Sequence, residues 1–164
     1  MEYTFELKYQ LDPSDADPDA IVERLGEAGC DDALVGLGLP GRVALEFVRD
    51  AQSAEAAMMS ALADVARALP TAELIEAAPD LVGITDVAEL TGVSRQNIRK
   101  LMITHSATFP APVHAGTSSL WHLTDMVSWL SERMGYEYPQ PDIDIARVAE
   151  RVNIQKEARR LHAT

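Results

Sequence analysis

The pattern that most constrains the fold lies in residues 84–104, which read ITDVAELTGVSRQNIRKLMIT. Thr85 is predicted to be the N-cap of a first helix, and Asp86 follows it, where a carboxylate suits the positive end of the helix dipole. Gly92 supplies the left-handed residue that ends this helix, and Ser94 can cap a second one. Two short helices joined by a turn with glycine have the spacing of a DNA-reading helix-turn-helix.

The polar residues of the second helix stand where DNA contacts are made. The early turns of a recognition helix reach base edges in the major groove, where Arg pairs with guanine and Asn or Gln with adenine. Ser94 and the helix N-terminus could instead hold a phosphate. The alternative is a solvated helix face, but the order of caps, apolar positions and polar cluster favours DNA contact. The predicted contact residues are Ser94, Arg95, Gln96, Asn97, Arg99 and Lys100.

Two further motifs follow this pattern, FPAP at Phe109–Pro112 and LWHLTDMVSWL at Leu120–Leu130. Together with the two-helix pattern they resemble a DNA-binding domain of the MerR-like winged-helix superfamily, on its AlpA and phage-excisionase side. The resemblance covers residues 81–130, about a third of the chain. It implies a recognition helix over Ser94–Thr104, a wing between the FP dipeptide and the tryptophan, and then a helix closing in WL.

The wing implied by this resemblance differs from the family pattern in its charge. Residues 114–119 read HAGTSS and contain no Arg or Lys, whereas such wings are often basic. Phosphate contacts by the wing would therefore come from backbone amides and from His114, Thr117 and Ser118. Trp121 and Trp129 form the family's W…WL pattern, and both are expected to be core residues rather than stacking platforms for bases.

The net charge of -12 is unusual for a DNA-binding chain, but it is unevenly distributed. Residues 1–80 hold 17 acidic and 5 basic side chains, which accounts for the whole excess, and the remaining residues are balanced. An acidic domain repels phosphate, so the first half is expected to sit away from the duplex and to have another role. The expected role is protein binding on a charged sheet face, for which solubility alone is a nearly equal alternative.

The first 80 residues alternate in a way that predicts a small sheet. Strands are predicted over residues 3–11, 33–37, 43–47 and 72–77, with helices over 18–28 and 53–69, the second capped by Ser53. The order strand, helix, strand, strand, helix, strand is the ferredoxin-like arrangement. The free sheet face would carry Glu6, Lys8, Glu46 and Arg42, and the segment 1–79 is expected to fold alone.

The last segment is predicted to be a linker and a helix. GYEYPQP at residues 135–141 is rich in proline, and residues 143–161 carry an imperfect apolar stripe of Ile145, Val148, Val152 and Ile154. A lone amphipathic helix must cover something. It either packs on its own chain or pairs with a second copy, and dimer formation is the expectation here.

The predicted fold class is therefore α+β. An acidic ferredoxin-like domain spans residues 1–79, a winged helix-turn-helix spans residues 80–135, and a linker with an amphipathic helix spans residues 136–164.

Signatures of catalysis, cofactors and metals are not found in the sequence. The four histidines make no HExxH or paired ligand motif, and the one cysteine, Cys30, cannot form an internal disulfide. No apolar run approaches membrane-spanning length, and the N-terminus does not begin like a signal peptide. The expectation is a cytoplasmic protein that is not an enzyme, with no catalytic residue, no cofactor, no metal and no membrane partner.

The favoured function is a sequence-specific double-stranded DNA-binding transcriptional regulator of bacterial or phage origin. It would act as a repressor or autorepressor and as a homodimer, because one short recognition helix buries too little surface for useful specificity. Three alternatives remain: an antitoxin whose acidic domain binds a toxin, a ligand-responsive regulator, and an adaptor that uses the winged fold only for protein contacts.

Overall fold

The computed structural model describes residues 1–163, and this part of the chain is α+β, with six helices and a four-stranded antiparallel sheet. The first six elements are β1 (Glu2–Gln10), α1 (Pro18–Glu27), β2 (Ala33–Gly36), β3 (Arg42–Asp50), α2 (Ala54–Ala68) and β4 (Glu73–Ala78). The remaining elements are β5 (Leu81–Val82), α3 (Ile84–Thr91), α4 (Arg95–Thr104), β6 (Trp121–His122), α5 (Leu123–Met134) and α6 (Gln140–His162).

The large sheet has the strand order β2-β3-β1-β4, and every neighbouring pair is antiparallel. Period-two alternation builds it, because successive side chains of a strand point to opposite faces. The inward residues of β1 and β3 are almost fully buried, whereas Glu6 and Glu46 stand opposite each other on the other face. Lys8 shares that face and pairs with Glu76 at 3.0 Å. The sequence prediction of a charged free face is confirmed for these residues.

Three helices cover the inner face of this sheet. Helices α1 and α2 are capped by Asp17 and Ser53, whose side chains accept from Asp19 N and Ala56 N. The third is α6, which packs against α2, β1 and β4. The shared core contains 23 buried residues, of which four come from α6: Ile145, Val148, Ala149 and Val152.

The packing of α6 differs from the exposed stripe that the sequence suggests. Ile145 and Val152 are 2% and 5% exposed, because the helix lies on its own chain, while Ile154 is 56% exposed. Helix α6 also begins at Gln140 rather than near Ile143, since proline is tolerated in the first turn of a helix. The apolar stripe is therefore not available as the main contact of a dimer.

Helix α6 also covers the β4 edge of the sheet. The Asn153 side chain donates from Nδ2 to Ala77 O and accepts at Oδ1 from Ala77 N, both at 2.8 Å. Lys156 Nζ donates to the carbonyl of Ile75. An uncovered edge strand invites pairing with another chain, so these contacts protect β4 from such pairing.

A second core lies between α3, α4, α5 and the two-stranded sheet of β5 and β6. Its buried members include Val87, Ile98 and Leu130, with the two tryptophans. Ala146 of α6 is buried at this core and, next to Ile145 of the sheet core, joins the two. The part of the chain that follows β4 is therefore packed against the sheet domain through α6.

One buried ion network was not anticipated from the sequence. Arg49, only 8% exposed, lies on the helical side of β3 and pairs with Asp32 at 2.7 Å and Asp64 at 2.9 Å. Its guanidinium also donates to Gly29 O and lies 5.1 Å from the centre of the Phe47 ring. The hydrogen bond to Asp32 raises the pKa of Arg49 further above its already high ordinary value, although burial opposes this shift. The network fastens the connection between α1 and β2 to α2 and β3.

Two other findings concern single features. Cys30 is buried, and burial together with the charge of Asp64 raises the pKa of its thiol to about 11. None of the helices within residues 1–163 combines the length and the apolar character needed to cross a membrane.

Candidate nucleic-acid interface

The unit α3–turn–α4 is built by the local signals that the sequence contains, with one change at its start. Gly92 adopts φ +75° and ends α3, and Ser94 caps α4 by accepting from Asn97 N at 3.1 Å, as predicted. Thr85 is not the cap of α3: the cap is Gly83, and the helix begins at Ile84, two residues before the start that a cap at Thr85 predicts. Asp86 instead stands in the third helical position and accepts from Gly83 N at 3.2 Å. A carboxylate at this position satisfies a backbone donor that the helix leaves open.

The faces of α4 follow from which of its residues are buried. Ile98 is 1% exposed and points into the second core, with Leu101 and Met102 half-buried beside it. At 100° per residue, Gln96 and Lys100 lie on the opposite side, and both are exposed. Ile103 shares this outer side and is 79% exposed. An apolar side chain on such a face can contact a thymine methyl group in the major groove.

A short hairpin returns the chain to β6 at the position where the sequence predicts a wing. Backbone hydrogen bonds join Val113 N to Leu120 O at 2.7 Å and Leu120 N to His114 O at 2.9 Å. The residues from Ala111 to Ser118 are exposed. The His114 ring lies over Gly116, where an added Cβ would approach its Nε2 to 3.0 Å. The His114 ring therefore folds back over the tip of the hairpin.

A groove of about 810 Å³ separates α4 from this hairpin. Arg95 and Arg99 line it from one side, and Thr117 and Ser118 line it from the other. Asp86 of α3 also lines the groove, so two guanidinium groups stand against one carboxylate there. Positive charge beside hydroxyl donors suits a phosphate backbone.

The structure thus brings together some of the residues that the sequence predicted to contact DNA, but not all of them. Ser94, Gln96, Lys100 and His114 are exposed but do not line the groove. Asn97 is half-buried and lies on the flank of α4 away from Arg95, which makes it a poorer candidate for base contact than the sequence suggests. Residues that the sequence analysis missed also belong to this surface. They are Thr85, Ile103 and Ser106.

The periodicity of α4 could have identified two of the missed residues. Ile103 follows Gln96 and Lys100 by seven and three positions, which places it on their face of the helix. Ser106 lies just beyond the helix, seven positions after Arg99, and joins its side of the groove.

An aromatic cluster holds the hairpin and helices in place. Trp121 and Trp129 are 4% and 6% exposed, and both rings meet Phe109 edge to face, at centroid distances of 6.2 and 5.2 Å. Trp121 Nε1 donates to Pro110 O at 3.0 Å, and Trp129 Nε1 donates to Thr108 Oγ1 at 3.3 Å. The expectation that both tryptophans are core residues is confirmed.

Comparison of the chain with protein-family models, with curated proteins and with solved structures finds no match. Function must therefore be inferred from the residues of this chain and their geometry.

Proposed function

We propose that this chain is a sequence-specific double-stranded DNA-binding regulator of transcription, in which residues 80–135 form a winged helix-turn-helix of MerR-like, AlpA-related type. The observation that carries the proposal is the groove between α4 and the hairpin. It combines Arg95 and Arg99 with the hydroxyls of Thr117 and Ser118, beside an exposed helix face that offers Gln96. Arg and Gln are side chains that read guanine and adenine in the major groove.

The sheet domain is proposed to be ferredoxin-like, because its βαββαβ order and its strand order β2-β3-β1-β4 match that arrangement. Its charged free face is unsuited to phosphate. We therefore assign DNA binding to the winged module and dimerisation or partner binding to the sheet domain.

The test is a binding titration with labelled promoter DNA from upstream of the protein's own coding sequence. Arg95→Ala is expected to weaken specific binding by about 1–3 kcal/mol, while Lys100→Ala weakens binding to all sequences alike and lowers the salt slope by about one. Arg147→Ala is the matched control, since Arg147 is exposed on α6, away from the groove. Equal affinity of wild type, Arg95→Ala and Arg99→Ala for that promoter would overturn the assignment.

A second candidate function, protein binding at the sheet domain, rests on another groove. About 450 Å³ of open space lies between the free sheet face and the winged module. Apolar residues such as Leu81 and Leu90 line part of it, and Lys8 is its single basic residue, already paired with Glu76. Its acidic residues are Glu6, Glu46, Glu76, Asp86, Glu89 and Asp142.

Such a groove suits a basic segment of a protein partner, which is the property expected of an antitoxin that binds its toxin. Co-expression with the products of neighbouring genes tests this function. A salt-sensitive complex that Glu46→Lys and Glu89→Lys abolish would support it, whereas Glu23→Lys, on the exposed surface of α1, should leave the complex intact. A complex insensitive to the two groove substitutions would count against it.

The homodimer is proposed to form through the sheet domain, because the apolar side of α6 is already covered. Strand β2 is an edge of the sheet, and Leu34 on it is 73% exposed. Leu34→Arg should shift the protein toward monomer in sedimentation experiments, because it places a charge on this edge. A variant that sediments like the wild-type dimer would move the interface elsewhere.

A further inference from the structure

Three side chains from distant parts of the sequence meet where the sheet domain, the winged module and α6 come together. Asp80 lies between β4 and β5, His122 ends β6, and Glu150 lies in the middle of α6. His122 Nδ1 is 2.7 Å from Asp80 Oδ1 and 3.2 Å from Glu150 Oε1. One possible ligand atom from each of the three side chains lies within 4.8 Å of the other two.

The two carboxylates, Asp80 and Glu150, share His122 as their one cationic partner in this cluster. A ring nitrogen carries at most one proton, yet two carboxylate oxygens converge on Nδ1 of His122. Asp80 is 1% exposed, and no Lys or Arg of residues 1–163 forms an ion pair with it. A buried carboxylate is costly unless it is paired or coordinates a metal.

The carboxylates are also held in place by outer hydrogen bonds. Asn153 Nδ2 donates to Asp80 Oδ2 at 2.9 Å, and Thr124 Oγ1 donates to Glu150 Oε1 at 3.0 Å. Such second contacts are what orient the ligands of protein metal sites. Asp80 itself is further fixed because its backbone carbonyl accepts from Leu123 N at 2.7 Å.

We propose that Asp80, His122 and Glu150 bind a divalent transition-metal ion of the Zn²⁺ class. An imidazole nitrogen with two carboxylate oxygens suits Zn²⁺ better than Mg²⁺ or Ca²⁺, which prefer oxygen ligands alone. Metal–ligand distances of about 2.0–2.2 Å in a tetrahedral site separate ligand atoms by roughly 3.3–3.6 Å. The 3.2 Å between His122 and Glu150 is already close to this separation, and the 2.7 Å between His122 and Asp80 has to lengthen slightly. His122 and Glu150 remain about one-quarter exposed, which leaves a path for the ion and a position for water.

The ion would tie α6 to the part of the chain that follows the large sheet, since Glu150 lies in α6 whereas Asp80 lies between β4 and β5 and His122 lies in β6. It should therefore stabilise the folded chain whether or not DNA is present. This inference does not depend on the proposed function, and its test uses no DNA.

The experiment titrates Zn²⁺ into the full-length, chelator-treated protein and follows heat by calorimetry. One equivalent is expected to bind, and Tm is expected to rise by about 5–10 °C when free Zn²⁺ exceeds its dissociation constant about a hundredfold. Mg²⁺ at the same concentration should produce neither effect.

Variants decide whether the cluster is the site. Glu150→Gln keeps the size of the side chain and its contact with Thr124, and it should weaken Zn²⁺ binding at least tenfold, as should Asp80→Asn. His162→Gln and His114→Gln, at exposed positions outside the cluster, should bind as wild type does. Circular dichroism checks the fold, and if Asp80→Asn fails to fold, Glu150→Gln alone decides.

Two outcomes would overturn the proposal. One is the absence of saturable one-to-one binding by the wild type. The other is binding that Glu150→Gln leaves unchanged, which would mean that the ion binds at surface histidines. In either case the cluster is a proton-bridged contact between the three elements.

Discussion

Replacement of Ile145 by alanine tests whether α6 is an integral part of the fold. Ile145 is 2% exposed in the core under the sheet, and the change removes three carbon atoms. At about 0.8 kcal/mol for each buried methylene, the lost transfer free energy is about 2.4 kcal/mol, and the cavity left behind raises the total to roughly 3–4 kcal/mol. The measurement is urea unfolding, followed by far-ultraviolet circular dichroism.

Ile154→Ala is the matched control, because it makes the same chemical change in the same helix at a site that is 56% exposed. The free energy of unfolding should then stay within about 0.5 kcal/mol of the wild-type value. If the two variants are equally stable, α6 is not docked on its own chain in solution, and the packing described for this helix is refuted. Tryptophan fluorescence, which reports on the second core, should shift with the dichroism signal for Ile145→Ala, because Ala146 joins the two cores.

Three other predictions concern glycine, cysteine and tryptophan. Gly92→Ala should destabilise the protein by about 1–2 kcal/mol, because residue 92 has a positive φ. Gly26→Ala, within a helix and with open space around the site, should stabilise it by about 0.5–1 kcal/mol. Thermal unfolding should show a lower Tm for the first variant and a higher Tm for the second. Cys30 should react slowly with a thiol reagent at pH 8, since its pKa of about 11 leaves about a hundredfold less thiolate than a free thiol of pKa 9. Rapid labelling of the native protein would contradict this slow reaction. The contribution of the protonated thiol to stability is present below pH 9 and is lost as the pH rises toward 11. Single-stranded DNA should leave the fluorescence of Trp121 and Trp129 unquenched, because both rings are buried, and strong quenching would show otherwise.

The sequence was sufficient to predict features that depend on neighbouring residues. The caps at Ser53 and Ser94 and the helix end at Gly92 were predicted correctly, because each is a local hydrogen bond or a local backbone conformation. The strands of the large sheet were predicted for the same reason, since alternation reports directly on which face is buried. Thr85 failed as a cap because Gly83 N could be satisfied from Asp86 instead.

Features that depend on distant contacts were missed. Ile154 lies nine residues after Ile145, which is half a turn away from the buried side at 100° per residue, so the apolar stripe should have been ended at Val152. Arg49 continues the inward positions of β3, and the alternation could have revealed it, but its partners Asp32 and Asp64 depend on how the helices pack.

The Asp80, His122 and Glu150 cluster could not have been found from spacing. Its members are 42 and 28 residues apart along the chain, and only the docking of α6 brings them together. For the same reason, the candidate groove on α4 was predicted in part: helix residues follow from periodicity, whereas the position of the hairpin opposite them does not.

The position of α6 also determines when the first domain can be completed during synthesis. The ribosome makes β1 to β4 first, but Ile145, Val148, Ala149 and Val152 leave it only after all the elements from β5 to α5. Until then, the apolar side chains of α2, β1 and β4 lack the cover that α6 gives them, so the segment 1–79 has an incomplete core. The core of residues 81–134 waits for one residue of α6, Ala146, whereas the core under the large sheet waits for four, so the sheet is made first but completed last.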